Sequence, residues 1–216
     1  MECPDRMRSG LCYFYYIFCY NRYMLYTRKG DGGTTKTFGC DQRISKSSAV
    51  AEALGTLDEA NSFIGFCKAR SRKEKLTLKK QKIDEILHNV QKNLFIAQAE
   101  VAGASMCIDE IKVKEIEEIV DTIEKELPPI KTFFIPGSSE LSAMFDVART
   151  VSRRAERRVV AVMDNYLSIK KKKKEDKEPV SAHTLAYLNR LSSLLYAFAR
   201  YANHVSGSKE EIPDYK

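Results

Sequence analysis

The chain has no tryptophan, and none of its six cysteines belongs to a paired motif. Tyrosine and phenylalanine must therefore provide the aromatic packing of a core. No two cysteines form C-x-x-C, and no histidine lies where it would complete a zinc spacing. Scattered cysteines of this kind are typical of reduced thiols in a reducing compartment. We expect Cys67 and Cys107, which lie in apolar helical contexts, to act as small core hydrophobes.

A long hydrophobic run is also missing. The apolar run Leu11–Tyr20 is too short to span a bilayer, and no small-residue cleavage site follows it. Its aromatic, cysteine-rich pattern has neither helical nor strand periodicity. We therefore predict that residues 1–23 are a non-native or disordered extension, that Met24 is the natural start and that the protein is cytoplasmic. If residues 1–23 are a genuine targeting segment, the mitochondrial matrix is the alternative location.

What the chain does have is an excess of positive charge, with 36 lysines and arginines against 29 acidic residues. The net charge of +7 suits a polyanionic partner, and nucleic acid, anionic lipid and nucleotide phosphate all qualify. Because the consecutive lysines Lys170–Lys174 supply much of the excess, the global charge is weak ground for choosing among them. The segment Lys170–Glu178 is predicted to be a charged loop.

Helical periodicity is strong from Ser47 onward. Apolar residues at three- and four-residue steps predict five helices, with glycine or proline after two of them as stops. The predicted helices run from Ser47 or Ser48 to the basic stretch Arg70–Lys75, over Leu76–Ala102, over Asp109–Leu127, from Ser138 or Ser139 to about Asn165, and from Ser181 to Val205. Tyr26–Lys46 is predicted to be an extended loop, and Thr132–Ile135 is the one segment with a trace of strand alternation. Long helices joined by short loops predict an all-α, up-and-down five-helix bundle.

The fourth predicted helix carries an unusual concentration of arginine. Five arginines flank Glu156 within the span Arg149–Arg158, and no lysine is used. Arginine presents a planar, permanently charged fork to phosphate or carboxylate, which lysine does not. The pattern fits a phosphate site, and it fits equally well a solvated face or a face that forms ion pairs with neighbouring helices.

The loop Thr27–Thr37, named the Gly-Asp loop below, is the second candidate for chemistry. Its clustered glycines let backbone N–H groups approach an anion, and its threonine and basic side chains add donors. It nearly matches a Walker A loop, but Thr35 stands where that motif needs glycine, and no buried strand precedes it. A P-loop fold is therefore rejected, while phosphate binding and a flexible glycine-rich tail both remain open.

Metal-binding patterns are weak. Glu85 and His88 form one E-x-x-H motif, but a ferritin-like di-iron bundle needs a second such motif and two further glutamates. His183 and His204 have no glutamate three residues earlier, so no metal site is predicted. On the fifth helix, Asn189–Arg190 interrupts the apolar stripe, which indicates either a satisfied polar contact or a ligand contact.

Together these segments resemble the PduO-type ATP:cob(I)alamin adenosyltransferases. The resemblance runs from about Tyr26 to Ala202. Four blocks in a specific order carry it: YTRKGDGGTT at 26–35, EALGTLDEANSFIGF at 52–66, FFIPGSSE at 133–140 leading into VARTVSRRAERRVV at 147–160, and YLNRLSSLLYAFARYAN at 187–203. Four departures occur: Ser138 stands where the family has the second glycine of a Pro-Gly-Gly turn, the stretch Phe38–Arg43 is longer than expected, the lysine-rich loop before the fifth helix is longer than typical, and Arg28 replaces a frequent lysine.

The resemblance implies a fold, a reaction and an assembly. The expected fold is a five-helix bundle that forms a homotrimer with the active site between subunits. The expected reaction transfers the 5′-deoxyadenosyl group of ATP to the cobalt of cob(I)alamin or cob(I)yrinic acid a,c-diamide and releases triphosphate, with Mg²⁺ present. The expected partners are a flavin reductase and an adenosylcobalamin-dependent enzyme, and neither nucleic acid nor a membrane. The expected domain spans residues 24–206, with 24–47 as the ATP-binding segment and 207–216 as a C-terminal tail.

The resemblance also implies roles for individual residues. Arg153 is expected to stabilise the phosphate charge during catalysis. Asp58 and Arg149 are expected to pair across the subunit interface, and Phe133 is expected to help displace the lower cobalt ligand. The residues expected to bind ATP are Thr27, Arg28, Lys29, Gly30, Thr35, Lys36, Lys46, Arg153, Arg154, Glu156, Arg157 and Asn189.

Two other functions remain open. A helical binding module for nucleic acid or acidic protein would use Lys170–Lys174 and the arginine helix, but lysine runs give only salt-sensitive, non-specific binding. That alternative gives no role to Phe133, Asn189 or the Gly-Asp loop. A family member that works mainly as a cofactor-delivery chaperone or sensor is the other alternative.

Overall fold

The computed structural model describes residues 26–37, 42–170 and 178–215, without the side chains at 169 and 170. Three predictions concern residues outside this description: the extension at 1–23, the natural start of the protein at Met24, and most of the lysine run Lys170–Lys174. Within them, five helices and two small antiparallel strand pairs are present. The elements are β1 (Thr34–Lys36), β2 (Arg43–Ser45), α1 (Ala49–Glu74), β3 (Thr77–Leu78), β4 (Gln81–Lys82), α2 (Ile83–Val101), α3 (Glu110–Glu124), α4 (Glu140–Lys170) and α5 (Ala182–Ser206).

Serine side chains begin three of the helices where the sequence predicts. The side chains of Ser48 and Ser181 each accept a hydrogen bond from a backbone N–H three residues later. At the start of α4, Ser139 Oγ accepts from the N–H of Ser142 at 3.2 Å, and Ser142 Oγ accepts in return from the N–H of Ser139 at 3.1 Å. Because each bond satisfies an N–H that has no partner inside the helix, these predicted starts are confirmed.

α1 is longer than the sequence analysis predicts. The basic stretch Arg70–Lys75 continues the helix to Glu74 instead of breaking it, because Arg70 Nε pairs with Glu74 Oε1 one turn further on at 2.7 Å. The helix ends only at Lys75, which adopts a left-handed φ of 54°.

Residues 76–82 form a β-hairpin where the sequence analysis predicts the first turns of a helix. β3 and β4 pair antiparallel, and the turn between them contains Lys79 with a left-handed φ of 53°. Leu78 is 4% exposed, and Tyr201 Oη donates a hydrogen bond to the carbonyl oxygen of Thr77 at 2.8 Å. The apolar side chains that suggested helical periodicity are therefore buried by a hairpin that is fixed to the core.

Smaller differences concern the ends of elements. The described part of Tyr26–Lys46 is a loop as predicted, but it is not extended throughout, because residues 29–32 form turns and the β1–β2 pair follows them. α3 ends at Glu124, before the predicted end at Leu127, and α4 runs to Lys170, beyond the predicted end near Asn165.

The helices alternate in direction along the chain. Arg154 of α4 pairs with Glu59 of α1, and Arg158 pairs with Glu52, so rising residue numbers on one helix meet falling numbers on the other. The contacts of α1 with α2 and of α4 with α5 follow the same antiparallel order, whereas α3 runs parallel to α5. The predicted up-and-down five-helix bundle is therefore confirmed.

One hydrophobic core fills the bundle. Phe145 of α4 and Phe198 of α5 are completely buried, with ring centroids 5.3 Å apart. Cys67 is buried as expected, and burial raises the pKa of its thiol to about 12. Cys107 is exposed, so its prediction as a core residue is wrong. It lies in the loop before α3, where the neighbouring Ile108 occupies the core position instead.

This arrangement gives the bundle two ends. The Gly-Asp loop and the beginnings of α1, α3 and α5 lie at one end, which we call the loop end. The connector between α3 and α4 (residues 125–139) and the chain after α5 lie at the other, which we call the connector end. The arginine-rich part of α4 lies between them and runs toward the loop end.

Candidate active site

The Gly-Asp loop folds into tight turns before β1. The N–H of Asp31 donates to the carbonyl of Arg28 at 3.3 Å, and the N–H of Gly33 donates to the carbonyl of Gly30 at 3.2 Å. Arg28 has a left-handed φ of 56°, which glycine adopts at no steric cost but arginine does not. The predicted ATP-binding residues of this loop are all exposed or half-buried: Thr27, Arg28, Lys29, Gly30, Thr35 and Lys36.

Two basic residues after β1 fix the shape of this loop. Arg43 Nε donates to Thr34 Oγ1 at 2.7 Å, and Arg43 Nη2 donates to the carbonyls of Thr34 and Lys29. Lys46 Nζ lies 3.1 Å from the position that a Cβ on Gly30 would occupy, so a side chain at position 30 would push the ammonium group aside. The sequence analysis did not single out Arg43, because only the pairing of β1 with β2 brings it to the loop.

The arginines of α4 divide into two groups. Three have an acidic partner in the same chain: Arg149 with Asp146 at 3.2 Å, Arg154 with Glu59, and Arg158 with Glu52 at 3.4 Å. Arg153 and Arg157 are exposed and form no hydrogen bond or ion pair with any described residue. Since they lie four residues apart, their guanidinium groups project from one face of the helix. Two neighbouring cations without a counter-charge suit an external polyanion such as a polyphosphate.

Glu156 and Asn189 are brought together by the packing of α4 against α5. Asn189 Nδ2 donates to Glu156 Oε1 at 2.9 Å, and Arg190 Nη1 donates to Asn189 Oδ1 at 2.8 Å. Arg190 Nε also donates to Glu117 of α3 at 2.8 Å, so one chain of hydrogen bonds crosses three helices. The polar interruption in α5 is therefore a satisfied contact within the chain. Because Asn189 is exposed, it is also accessible to a ligand.

Asp58 and Arg149, the predicted interface pair, do not pair within one chain. Asp58 is exposed on α1 and forms no hydrogen bond or ion pair within the described part of the chain. Arg149 pairs with Asp146, and its guanidinium carbon lies 5.8 Å from the ring centroid of Tyr196. Burial raises the pKa of the Asp146 carboxyl, and the hydrogen bond from Arg149 offsets part of that rise. The sequence analysis missed Asp146, although its position one turn before Arg149 was a usable signal.

Phe133 lies at the connector end, away from the Gly-Asp loop. Its side chain is 78% exposed, so it is accessible to a ligand or a partner. The neighbouring Ile135 forms an isolated antiparallel bridge with Glu211, so the trace of strand alternation at Thr132–Ile135 corresponds to a single bridge. In one chain, therefore, Phe133 and the Gly-Asp loop belong to opposite ends of the bundle.

The described residues contain no cluster suited to a metal ion and no helix suited to a membrane. No group of three or more His, Cys, Asp or Glu side chains among them could hold a metal ion. Glu85 of the single E-x-x-H motif pairs instead with Lys82 Nζ at 3.3 Å. None of the helices in this part of the chain is both long enough and apolar enough to cross a membrane.

Known proteins resemble this chain over most of its length. The family model for cobalamin adenosyltransferase matches residues 25–202. The corrinoid adenosyltransferase of Bacillus subtilis is 38% identical over 191 residues, which cover 85% of this chain and 88% of that protein. A corrinoid adenosyltransferase of Citrobacter freundii is 35% identical and is covered over 94% of its length. The corrinoid adenosyltransferase PduO of the same organism is 36% identical, and the chain spans only 50% of that longer protein.

Solved structures agree with these relatives. A variant PduO-type ATP:corrinoid adenosyltransferase from Lactobacillus reuteri, complexed with cobalamin and ATP, superposes with a TM-score of 0.74 at 28% identity. The superposition covers 89% of this chain and 97% of that one. Another variant of that enzyme, complexed with ATP, gives a TM-score of 0.72 at 27% identity. The resemblance predicted from four sequence blocks is confirmed, and the chain belongs to the cobalamin adenosyltransferase family.

Proposed function

We propose that the chain transfers the 5′-deoxyadenosyl group of ATP to the cobalt of a cob(I) corrinoid and releases triphosphate. Cob(I)alamin and cob(I)yrinic acid a,c-diamide are the corrinoid substrates expected from the family resemblance. The observation that carries the proposal is the pair Arg153 and Arg157, two exposed cations with no ionic partner among the described residues, on a helix whose other arginines are paired. The corrinoid adenosyltransferase activity for which the relatives are named uses ATP, and its polyphosphate is the ligand that we assign to this pair.

The reaction determines what the protein must do. The electron pair of cob(I) attacks the C5′ atom of ATP, a cobalt–carbon bond forms, and the C5′–O bond breaks with both electrons leaving on triphosphate. Because cobalt is the nucleophile, no protein side chain has to act as one. The chain has to hold ATP in line with the metal and stabilise the charge that develops on the leaving triphosphate.

The arginine face supplies that charge stabilisation in this proposal. Arg153 contacts the leaving phosphate group, and Arg157 binds the polyphosphate one turn further along. Arg154 contacts ATP only by exchanging its partner Glu59, so we assign it a smaller share of the binding. Glu156 and Asn189, already joined at 2.9 Å, form a polar contact for the nucleoside part of ATP.

The Gly-Asp loop supplies the other wall of the ATP site. Its glycine-rich turns are exposed or half-buried, and Thr27, Arg28, Lys29, Thr35 and Lys36 add hydroxyl and basic side chains. Lys46 lies over Gly30, with its Nζ 3.1 Å from the position that a Cβ there would occupy. Within one chain, none of the hydrogen bonds or ion pairs of described residues 27–35 reaches α4. As the family resemblance implies, we propose that a site that uses both walls is assembled from two subunits.

A homotrimer would provide that assembly. Asp58 is exposed without a partner among the described residues, and we propose that it pairs with Arg149 of a neighbouring subunit. Phe63 and Phe66 on the same helix are 36% and 64% exposed, an apolar surface that favours self-association. Phe133 then reaches the corrinoid from the connector end of a subunit and helps displace the lower cobalt ligand.

The remaining components follow from the chemistry of the substrates. Mg²⁺ would be held chiefly by the phosphates of ATP, since such sites use one or two carboxylates and not an all-protein cage. A flavin reductase is the proposed source of electrons for cobalt, and an adenosylcobalamin-dependent enzyme is the proposed acceptor of the product.

An adenosylation assay tests the proposed function. Purified protein, ATP, Mg²⁺ and chemically reduced cob(I)alamin should lose the cob(I) absorbance and give a light-sensitive alkylcobalamin together with free triphosphate. Parallel reactions without protein or without ATP control for oxidation of cob(I). A folded protein that gives no product above these controls would falsify the proposal.

A further inference from the structure

The chain after α5 turns back toward the connector. The N–H of Gly207 donates to the carbonyl of His204 at 3.2 Å, and the N–H of Ser208 donates to the carbonyl of Asn203 at 2.9 Å. With Gly207 at a φ of 68°, these bonds form a Schellman motif, which ends the helix and reverses the chain. Residues 209–212 are therefore directed back along the connector.

Two contacts join this tail to the connector. The N–H of Ile135 donates to the carbonyl of Glu211 at 2.8 Å. Arg200 of α5 lies between the two segments: its Nη1 and Nη2 donate to the carbonyl of Pro128 at 3.2 and 3.3 Å, and its Nε and Nη2 donate to Glu210 Oε2 at 3.4 Å. One guanidinium group thus holds the beginning of the connector and the tail at the same time.

The Arg200–Glu210 pair is largely removed from solvent. The side chain of Arg200 is 8% exposed and that of Glu210 is 18% exposed. Removing either partner of such a pair leaves a charge that is poorly solvated, which is much more disruptive than the loss of an exposed ion pair. The pair therefore holds the tail in one place.

The same guanidinium group fixes the side of the connector on which Phe133 lies. The Arg200 guanidinium carbon lies 5.2 Å from the ring centroid of Phe134, which is half-buried beneath it. Ile135 is in an antiparallel bridge, and neighbouring side chains of an extended chain point to opposite sides. With Phe134 held inward, Phe133 must point outward, where its 78% exposure places it.

We propose that Arg200 and Glu210 are positioning residues that hold Phe133 outward for contact with the corrinoid. They act through Phe134, Pro128 and the tail, and they do not touch the substrate themselves. The inference rests on the proposed function, and within it on the role of Phe133 at the lower face of the corrinoid. Under this proposal the C-terminal tail takes part in activating the cobalt, and the ATP-binding residues have no such role.

The test compares Glu210→Ala with Glu211→Ala in the full-length protein. Both variants lose one carboxylate, but Glu211 contributes only its backbone carbonyl to the connector. Each variant is assayed with ATP on prereduced cob(I)alamin and on cob(II)alamin with a reductant, and the cob(II) complex is examined by electron paramagnetic resonance for the four-coordinate species. Arg200→Lys is the second variant, because it keeps the charge but not the fork that spans Pro128 and Glu210. Thermal melting confirms that each protein is folded.

The expected results differ between the two routes, which are the reaction from prereduced cob(I)alamin and the reaction from cob(II)alamin with a reductant. Glu210→Ala and Arg200→Lys should react with prereduced cob(I)alamin within about twofold of the wild-type rate, but should lose about tenfold or more from cob(II)alamin, with a weaker four-coordinate signal. Glu211→Ala should match the wild type in all three measurements. Equal losses on both routes, or no loss on either, overturn the inference while the wild type remains active. A wild-type protein inactive on prereduced cob(I)alamin removes the proposed function itself.

Discussion

Two pairs of arginines on α4 differ in what balances their charge. Arg154 and Arg158 pair with acidic side chains of α1, whereas Arg153 and Arg157 have no such partner among the described residues. All four lie on consecutive turns of the same helix, so composition and periodicity treat them alike. Exposed ion pairs contribute only about 0–1 kcal/mol to stability, so the ion pairs of Arg154 and Arg158 are not needed for folding. The difference supports our proposal that Arg153 and Arg157 bind a ligand, because no acidic side chain among the described residues balances their charge.

The largest effect is expected from the unpaired group. Arg153→Ala should lower the turnover number with prereduced cob(I)alamin by about 10²–10³-fold, because a donor aimed at developing charge contributes most in the transition state. The rate of loss of cob(I) absorbance measures this effect, with the helical circular dichroism signal as the control for folding. Wild-type turnover in Arg153→Ala would exclude Arg153 from the mechanism. It would also contradict the distinction between the unpaired and the paired arginines of α4.

A second prediction contrasts the ATP side of the site with the corrinoid side. Phe133→Ala should slow the reaction from cob(II)alamin by up to about 10²-fold, since misplacement of the reacting centre is costly. It should slow the reaction from prereduced cob(I)alamin much less, because that substrate no longer needs the lower ligand displaced. Rates on the two substrates provide the measurement. Equal losses would count against a role in ligand displacement.

A third prediction compares two neighbouring acidic residues on α1, of which only one has an ion-pair partner among the described residues. Asp58 has no partner within the described chain, whereas Glu59 beside it pairs with Arg154. Asp58→Ala should weaken trimer formation by about tenfold, a loss between those of exposed and buried pairs. Glu59→Ala should leave the assembly unchanged. Sedimentation velocity over a range of concentrations measures the assembly of both variants, and unchanged assembly in Asp58→Ala would void the interface assignment.

The smallest effect is expected from the paired group. Arg158→Ala should lower the free energy of unfolding by less than about 1 kcal/mol, because its pair with Glu52 is exposed and screened by solvent. Turnover should stay at the wild-type level. Chemical denaturation and the adenosylation assay check the two statements. A large loss of turnover would place Arg158 in the site.

Much of the fold follows from local patterns in the sequence. The caps at Ser48, Ser139 and Ser181 and the periodicity after them predict the helices, because both signals act within a few residues. The β3–β4 hairpin was missed because the left-handed residues at the end of α1 and in the hairpin turn are Lys75 and Lys79, and no glycine marks either position. Its apolar residues also continue the spacing of a helix, so periodicity alone favours the wrong element.

The candidate site is less accessible to prediction because its contacts are distant along the chain. Arg154 and Glu59 are 95 residues apart, and only the antiparallel packing of α1 on α4 brings them together. Arg43 reaches the Gly-Asp loop only through the register of β1 against β2. The sequence identifies the arginine-rich helix of the candidate site. It does not show which of these arginines are neutralised by acidic side chains.

The most direct measurement of the central claim is the affinity of inorganic triphosphate for two variants that differ at adjacent positions. Arg157→Ala and Arg158→Ala remove the same charge from the same helix, one from the unpaired group and one from the paired group. Isothermal titration calorimetry should find triphosphate binding weakened by about tenfold or more in Arg157→Ala, as expected for a lost charge-assisted hydrogen bond. In Arg158→Ala it should remain within about twofold of the wild type. Equal weakening in both variants, or none in Arg157→Ala, would contradict the account.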